Sequence, residues 1–416
     1  MGKVKIGVFG AGRGKTMIGQ VLARADGQAE LVAICDKYRP ALDEAGKMAK
    51  DKGLDVALYE DFDEFIQHDM DAVVLANYAN QHAPYAIRVM KSGRHVMSEC
   101  LTCATLKEAV ELIEAVEETG KIYTYAENYC YFNATFEMMV RYKKGDIGEL
   151  MQAECEYLHD CSSIWPKITY GDRNHWRNHM SSVFYCTHSI GPILFSTGLR
   201  PVRVSGFETR NMDFMRKLGD PAGSAGTLIL TLENGAIVKS IDMNLRRHGN
   251  NYILYGDRGV METDRFNAKM LHIRQEREKN CTGDWVSYTP LFTDERASGA
   301  GHGGGDYFTT NYFIDRLLGN DDVKPYTIDV YQAVDMCIPG ILGFRSIMNK
   351  NVGIDIPNLR NKAERDAYRN DTFCTFPEVA GDQYVPCNVM QANKDEIIED
   401  AVYEEVRRKW LAHEQG

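Results

Sequence analysis

"KVKIGVFGAGRGKTM", residues 3–17, decides how the chain begins to fold. Its first seven residues are a short β-branched run and read as a strand. Glycines stand at 10, 12 and 14, and "TMIGQVLARA" (16–25) then has helical spacing. A glycine loop between a strand and a helix is the setting of a dinucleotide fingerprint. Gly10 permits the tight turn. Gly12 lets backbone approach a pyrophosphate, whose charge meets the helix N-terminus. The third glycine belongs at position 15, which is Lys15, and Gly14 comes one residue early. The next strand, "AELVAICDK", ends at Asp36. That carboxylate suits both ribose hydroxyls and repels a 2′-phosphate, which favours NAD over NADP. Lys37 and Arg39 moderate the preference. The competing reading is a glycine turn in an unrelated α/β domain, with Asp36 as a helix cap.

Outward from this loop, strands and helices alternate. "RPALDEAGKMAKDKG" (39–53) is a helix with Pro near its start and Gly past its end. "DAVVLANY" (71–78) is a buried strand and "HAPYAIRVMKSG" (82–93) a helix. "RHVMSEC" (94–100), "TLKEAVELIEAVEETG" (105–120) and "KIYTYAEN" (121–128) repeat the cycle. Such alternation means βαβ units on a parallel sheet. After about residue 130 come longer, partly alternating strands with an Asn-Gly turn in "LENGA". They predict an antiparallel sheet with helices on one face, supplied by "GGDYFTTNYFIDRLLGN" and "DVYQAVDMCIPGILGFRSIMNKN". The fold class expected is α/β plus α+β. A doubly wound Rossmann domain spans 1–128, an α+β substrate and oligomerisation domain spans 129–385, and a charged helical tail spans 386–416.

The totals agree with two cores. The chain has 416 residues, 44% of them hydrophobic, which exceeds what one core holds. A net charge of −11 argues against nucleic acid and anionic membrane as partners. "MGKVKIGVFG" reads as a strand rather than a signal peptide, and no run reaches the ~18 apolar residues of a membrane span. The 11 cysteines are scattered, without paired zinc spacing, and point to a reducing, cytoplasmic setting. His159, Asp160, Cys186 and His188 are conceivable metal ligands, but their spacing matches no standard site, and no metal is expected.

The order of "GVFGAGRG", "VAICD", "DAVVLANYANQHAPYAIRVMKSGRHVMSE" and "YTYAENYCYF" resembles the Gfo/Idh/MocA oxidoreductases. "AENYCYF", "GELMQAECEYLHD", "HWRNHMSSVFYCTHSIGP" and "GHGGGDYF" look, more narrowly, like the NAD-dependent glycosidases of glycoside hydrolase family 109. The resemblance implies cofactor contacts from Gly10, Gly12, Arg13, Gly14, Asp36, Asn77, His82, Glu99 and Asn128. Sugar dehydrogenases of this kind carry Glu-Lys-Pro, with a catalytic lysine, where this chain reads Glu99-Cys100-Leu101. The glycosidases lack that lysine too. A thiol is mostly neutral at pH 7, so Cys100 cannot replace a cation and reads as a filler.

Other groups must then handle protons. His188 has the natural pKa for a general base. The resemblance brings Tyr157, His159, Tyr185 and Glu127 to the same sugar, with Arg177 and Trp176 as substrate contacts. Each has a plainer reading: the tyrosines as packing, Glu127 as a cap or ion pair, His159 as an exposed strand-edge residue, Trp176 as core. The family chemistry is oxidation of a glycoside's 3-hydroxyl by NAD, loss of the carbon-2 proton, elimination of the aglycone, hydration and re-reduction. It is the NAD-dependent exception to two-carboxylate hydrolysis. A conventional NAD-dependent sugar or cyclitol dehydrogenase and a non-catalytic NAD-binding regulator are the alternatives. A homodimer or homotetramer is implied.

Overall fold

The computed structural model describes residues 3–24, 27–278, 281–291, 295–388 and 397–414. Contacts divide the chain into Met1–Phe136 with Leu291–Val334, and Glu137–Pro290 with Asp335–Gly416. The sequence places its cuts near 128 and 385, and so does not show that residues 291–334 return to the first unit.

The first unit holds a parallel sheet of β1 (Val4–Phe9), β2 (Ala29–Cys35), β3 (Ala57–Tyr59), β4 (Ala72–Leu75), β5 (His95–Ser98) and β6 (Tyr123–Tyr125), in the order β3-β2-β1-β4-β5-β6. This is the doubly wound order, with its reversal beside β1. β4 is buried throughout, as a strand covered on both faces must be. The helix Ala11–Leu22 buries Ala11, Gly14, Met17, Ile18 and Val21, one face at helical spacing. The helix Leu106–Thr119 starts with a capping box. Thr105 accepts from the Glu108 amide at 3.1 Å, and Glu108 accepts from the Ala104 amide at 2.7 Å.

"GGDYFTTNYFIDRLLGN" forms the helix Gly305–Leu317, but not on the antiparallel sheet as expected. Phe313 and Ile314 join Ile18, Val21 and Ile34 in the core of the first unit. Arg24 secures the helix through Asn311 Oδ1 (3.0 Å) and Asp315 (2.5 Å). Apolar spacing specifies that a helix buries a face, and is silent about which sheet receives it.

The second unit holds β7 (Leu150–His159), β8 (Pro201–Glu208), β9 (Gly226–Leu232), β10 (Ile237–Met243), β11 (His248–Gly256), β12 (Gly259–Thr263), β13 (Leu271–Glu278), β14 (Cys281–Thr282), β15 (Val286–Tyr288) and β16 (Ile354–Asp355). The order is β14-β13-β12-β11-β7-β10-β9-β8-β16, with β15 on β13. Pairing is antiparallel except between β7 and β10, so the sheet is mixed. The β9–β10 turn is the expected one, with Gly235 at φ +88°. The helix Thr187–Thr197 and the later turns of Val330–Met348 cover the inner face. A side chain at Gly206 would overlap the Gly343 carbonyl, so β8 and the second helix touch backbone to backbone. Of the tail helix expected over 393–416, Asp400–Glu414 is helical, and residues 393–396 and 415–416 lie outside the described residues. No described helix is long and apolar enough to cross a membrane.

Candidate functional site

The glycine loop turns at Gly10, φ +100°, where a side chain would overlap the Ala76 carbonyl. A Cβ at Gly12 would meet nothing within 4 Å, so this side of the loop is open. Gly14 faces inward, and a Cβ there would stand 2.8 Å from Val8 Cγ1. Close helix–strand packing, the task of the third glycine, is therefore met one residue early. Lys15 instead pairs with Glu44 at 2.7 Å on the surface. Asp36 accepts from the amides of Ala11 (2.6 Å) and Tyr38 (2.8 Å). These bonds fix the carboxylate beside the loop and leave it lone pairs for ribose hydroxyls.

Arg13 is held from two sides. It meets Glu99 Oε1 at 2.7 Å and Asp306 Oδ1 at 2.5 Å. Burial works against its charge, but Glu99 and Asp306 outweigh it and hold the guanidinium firmly protonated. Asp306 is fully buried in the first turn of Gly305–Leu317. It also accepts from Asn128 Nδ2 (3.0 Å) and faces His302 Nδ1 (2.8 Å). Burial would raise its pKa, yet His302 and Arg13 hold it well below the carboxylate range. Sequence reasoning passed over Asp306. The available signal was an acid opening an apolar helix behind a glycine run.

Other expected cofactor residues cluster in the same unit. The Oδ1 atoms of Asn77 and Asn128 are buried without a hydrogen-bond partner. Buried acceptors in that state await a donor. Together with the open Gly12 and with Asp36, they fit a dinucleotide. His82 is buried between the carbonyls of Leu101 (Nδ1, 3.0 Å) and Asn77 (Nε2, 3.2 Å). Burial, against those two bonds, takes its pKa down to about 4, so it is neutral and ties two loops together.

The tripeptide holds no cation. Glu99 Oε2 accepts from the Cys100 amide at 3.1 Å, and burial raises Glu99 while Arg13 pulls it back. The Cys100 thiol donates to Glu127 Oε2 at 3.4 Å. Burial, then Glu127 and Glu99, push that thiol far above its ordinary pKa, so it stays neutral. Glu127 is fully buried and also caps a short turn, accepting from the Tyr129 amide at 3.2 Å.

The second unit brings the remaining candidates together as a chain of rings. Tyr157 on β7 lies 4.7 Å from His188, and Tyr185 lies 5.4 Å from it. Trp176, buried, stacks on Tyr185 at 6.3 Å, and the Arg177 guanidinium stands 4.4 Å over Trp176. His159 follows on the far side, its Nδ1 3.3 Å from the Tyr157 hydroxyl. Burial, then His248, His188 and Arg177, lower its pKa to about 4, so it is a neutral acceptor. Asp160 caps the turn after β7 through the Ser162 amide (3.0 Å), and the Cys186 thiol faces the Met336 carbonyl.

His188 sits in the first turn of Thr187–Thr197 on a polar floor that sequence reasoning missed. The Tyr252 hydroxyl of β11 donates to the His188 carbonyl at 2.7 Å. Next along, Ser189 and Ser240 converge on the buried Asp242 carboxylate at 2.6 and 2.8 Å. Burial, partly offset by those two hydroxyls, lifts Asp242 to about 6. An acid near the end of a strand, between Ile241 and Met243, was the readable sign.

Residues 4–127 match the family model described as oxidoreductase family, NAD-binding Rossmann fold, and residues 202–364 match glycosyl hydrolase 109, C-terminal domain. A glycosyl hydrolase family 109 protein of Saccharopolyspora erythraea is 26% identical over 85% of this chain and 83% of its own length. An alpha-N-acetylgalactosaminidase of Shewanella oneidensis is 30% identical over 46% of this chain and 43% of its own. Among solved structures, levoglucosan dehydrogenase in complex with NADH superposes with TM-score 0.70 at 16% identity, over 86% of this chain and all of that one. Aldose-aldose oxidoreductase from Caulobacter crescentus does so with TM-score 0.67, likewise at 16%, over 85% of this chain and all of that one. The first unit thus carries the NAD-binding Rossmann domain of the Gfo/Idh/MocA oxidoreductase family over residues 4–127, and residues 202–364 are the C-terminal domain of glycosyl hydrolase family 109.

Proposed function

We propose that this protein is an NAD-dependent glycosidase whose reaction involves no net redox change. The observation that carries the reading is Cys100. A buried, neutral thiol bonded to Glu127 occupies the place of the dehydrogenase lysine, beside an intact dinucleotide loop. Proton handling then falls to the second unit, whose domain type is that of a hydrolase family.

Asp36, the amides behind Gly10 and Gly12, Asn77 and Asn128 would hold NAD, with Arg13 fixed beneath by Asp306 and Glu99. NAD when bound supplies a hydride acceptor that gives the hydride back. His188 is assigned as the base for the sugar's hydroxyl and carbon-2 protons. Tyr157 and Tyr185 flank its ring; the Tyr185 hydroxyl hydrogen-bonds the developing oxyanion, and the Tyr157 oxygen, whose proton faces His159, accepts from a sugar hydroxyl. His159, neutral, accepts from the Tyr157 hydroxyl and orients it. Trp176 and Arg177 bind the sugar by face and by hydrogen bond. Glu127 accepts from the Cys100 thiol and fixes its direction.

Two coarser features join this proposal. Ten of the eleven cysteines, those whose side chains are described, are free and buried, which supports a reducing, cytoplasmic setting. The outer face of the sheet exposes Phe207, Ile237 and Tyr255, in register with the half-exposed Ile229, Ile241 and Ile253. An apolar face of this kind supports a homodimer or homotetramer.

Proton NMR in deuterated water with a panel of glycosides and no added NAD tests the reading. An alpha-N-acetylgalactosaminide comes first, because a relative bears that activity in its name. Aglycone release with deuterium on carbon 2 is expected. A keto-sugar formed in step with NADH would make the protein a dehydrogenase with another base, and binding without turnover would make it a regulator.

A further inference from the structure

The C-terminal helix lies beyond both family matches, which end at residue 364. It is nevertheless built into the second unit. Tyr403 and Val406 are buried, and Trp410 follows on the same face. The Tyr403 hydroxyl donates to the Gly219 carbonyl at 3.1 Å, and a Cβ at Gly219 would stand 2.6 Å from the Tyr403 ring. Arg173 pairs with Asp400 at the head of the helix.

The closest approach is at Tyr170-Gly171. Both residues have positive φ, 57° and 61°. Tyrosine there is held against its backbone preference, so its surroundings must fix it. Gly171 lies against the helix backbone itself, where a side chain would overlap the amide of Arg407. The Tyr170 ring meets Trp410 edge-on at 5.2 Å and, on its other side, meets His175 edge-on at 5.7 Å. His175 lies 5.9 Å from Trp176 and accepts from the Arg177 amide at 3.3 Å. Trp176 stacks on Tyr185, which flanks His188. One unbroken line of ring contacts therefore joins the tail helix to the residues assigned to the sugar.

We infer that the C-terminal helix is a positioning element for the substrate loop. Trp410 holds Tyr170, Tyr170 holds His175, and His175 sets the pose of Trp176 and Arg177. A segment outside the matched domains thereby tunes sugar affinity. The inference rests on the assignment of Trp176, Arg177, Tyr185 and His188 to the sugar. Among the described residues, the ring contacts link Trp410 to the candidate residues through Tyr170 and His175, so the role assigned to it is positioning.

The test uses the full chain with Trp410→Ala, and Trp410→Phe as the conservative partner. Hydrogen exchange is read across 170–180, with β9 and β10 as the internal reference. Exchange is expected to rise about ten-fold at 175–178 in Trp410→Ala, to stay level in β9 and β10, and to return toward wild type in Trp410→Phe. KM for the glycoside turned over is expected to rise about five-fold with kcat within about two-fold, and NAD affinity to hold. Unchanged exchange at 175–178 overturns the inference. So does a faster-exchanging loop with an unchanged KM, which would make the contact structural only. A wild-type protein that turns over no glycoside defeats the proposed function instead, and the exchange pattern still decides whether the tail positions the loop.

Discussion

Asp306 joins four groups that no short sequence window contains: Arg13, Asn128, His302 and, through Arg13, Glu99. Replacing it with Asn leaves Arg13 paired with Glu99 but removes one of the two carboxylates that hold the guanidinium. Losing charged hydrogen bonds in this way costs about 1.5–3 kcal/mol. Asp306→Asn is therefore expected to weaken NAD binding by about ten-fold or more and to lower stability, read by titration calorimetry and thermal melting. Cys100 behaves oppositely. Its thiol is neutral and bonds to Glu127 and the Ala126 carbonyl, so Cys100→Ala is expected to keep kcat within about three-fold. A collapse of kcat would give the thiol a chemical role. Legibility divides along the same line. Gly10, Gly12 and Asp36 were readable because a phosphate loop demands fixed residue types at fixed spacing. Gly14 was readable as displaced, and the structure shows why the displacement works. Asp306 was not readable, because its partners lie 178 and 293 residues away.

The helix Thr187–Thr197 carries His188 and shows what patterning does and does not reveal about an element. All ten residues from Thr187 to Ser196 are buried, so its helical moment is weak and its polar residues look misplaced. Ser189 is there for Asp242 and Ser240, and Tyr252 from β11 takes the His188 carbonyl. Tyr252→Phe removes one buried hydrogen bond at the turn that carries His188. It is expected to cost about 1–2 kcal/mol in denaturant unfolding. A loss of kcat exceeding the loss in sugar affinity would show that the bond fixes His188 for the proton step. The helix Gly305–Leu317 is the converse case. Its boundaries were evident from glycines and periodicity, whereas its place beside Ala11–Leu22 depended on core complementarity that one sequence does not display.

At the scale of the whole molecule, four acids among the described residues are governed by their removal from water. Burial lifts Glu108, Glu208 and Asp220 to about 7 and Asp242 to about 6. In the unfolded chain such groups keep their protons only below about pH 4. Their contribution to stability is complete below that value and is lost as pH rises through 6 to 7. His82 and His159, held down to about 4, act in the other direction, but only below the unfolded value near 6.5. Between pH 8 and 6.5 the carboxyls act alone, so calorimetry is expected to give a higher Tm at pH 6.5 than at pH 8. A flat or reversed profile would mean that these acids stay ionised in the fold. The return of residues 291–334 to the first unit also has a meaning in time. A ribosome adds roughly 5–20 residues per second. The glycine loop and Asp36 therefore leave it about fifteen to sixty seconds before the helix that carries Asp306. Through that interval the Arg13–Glu99 pair lacks the third member of its cluster, and the N-terminal strands wait for a distant part of the same chain. A fragment ending at Phe136 is accordingly expected to bind no NAD, and the nascent protein to depend on chaperones until its nucleotide unit is whole.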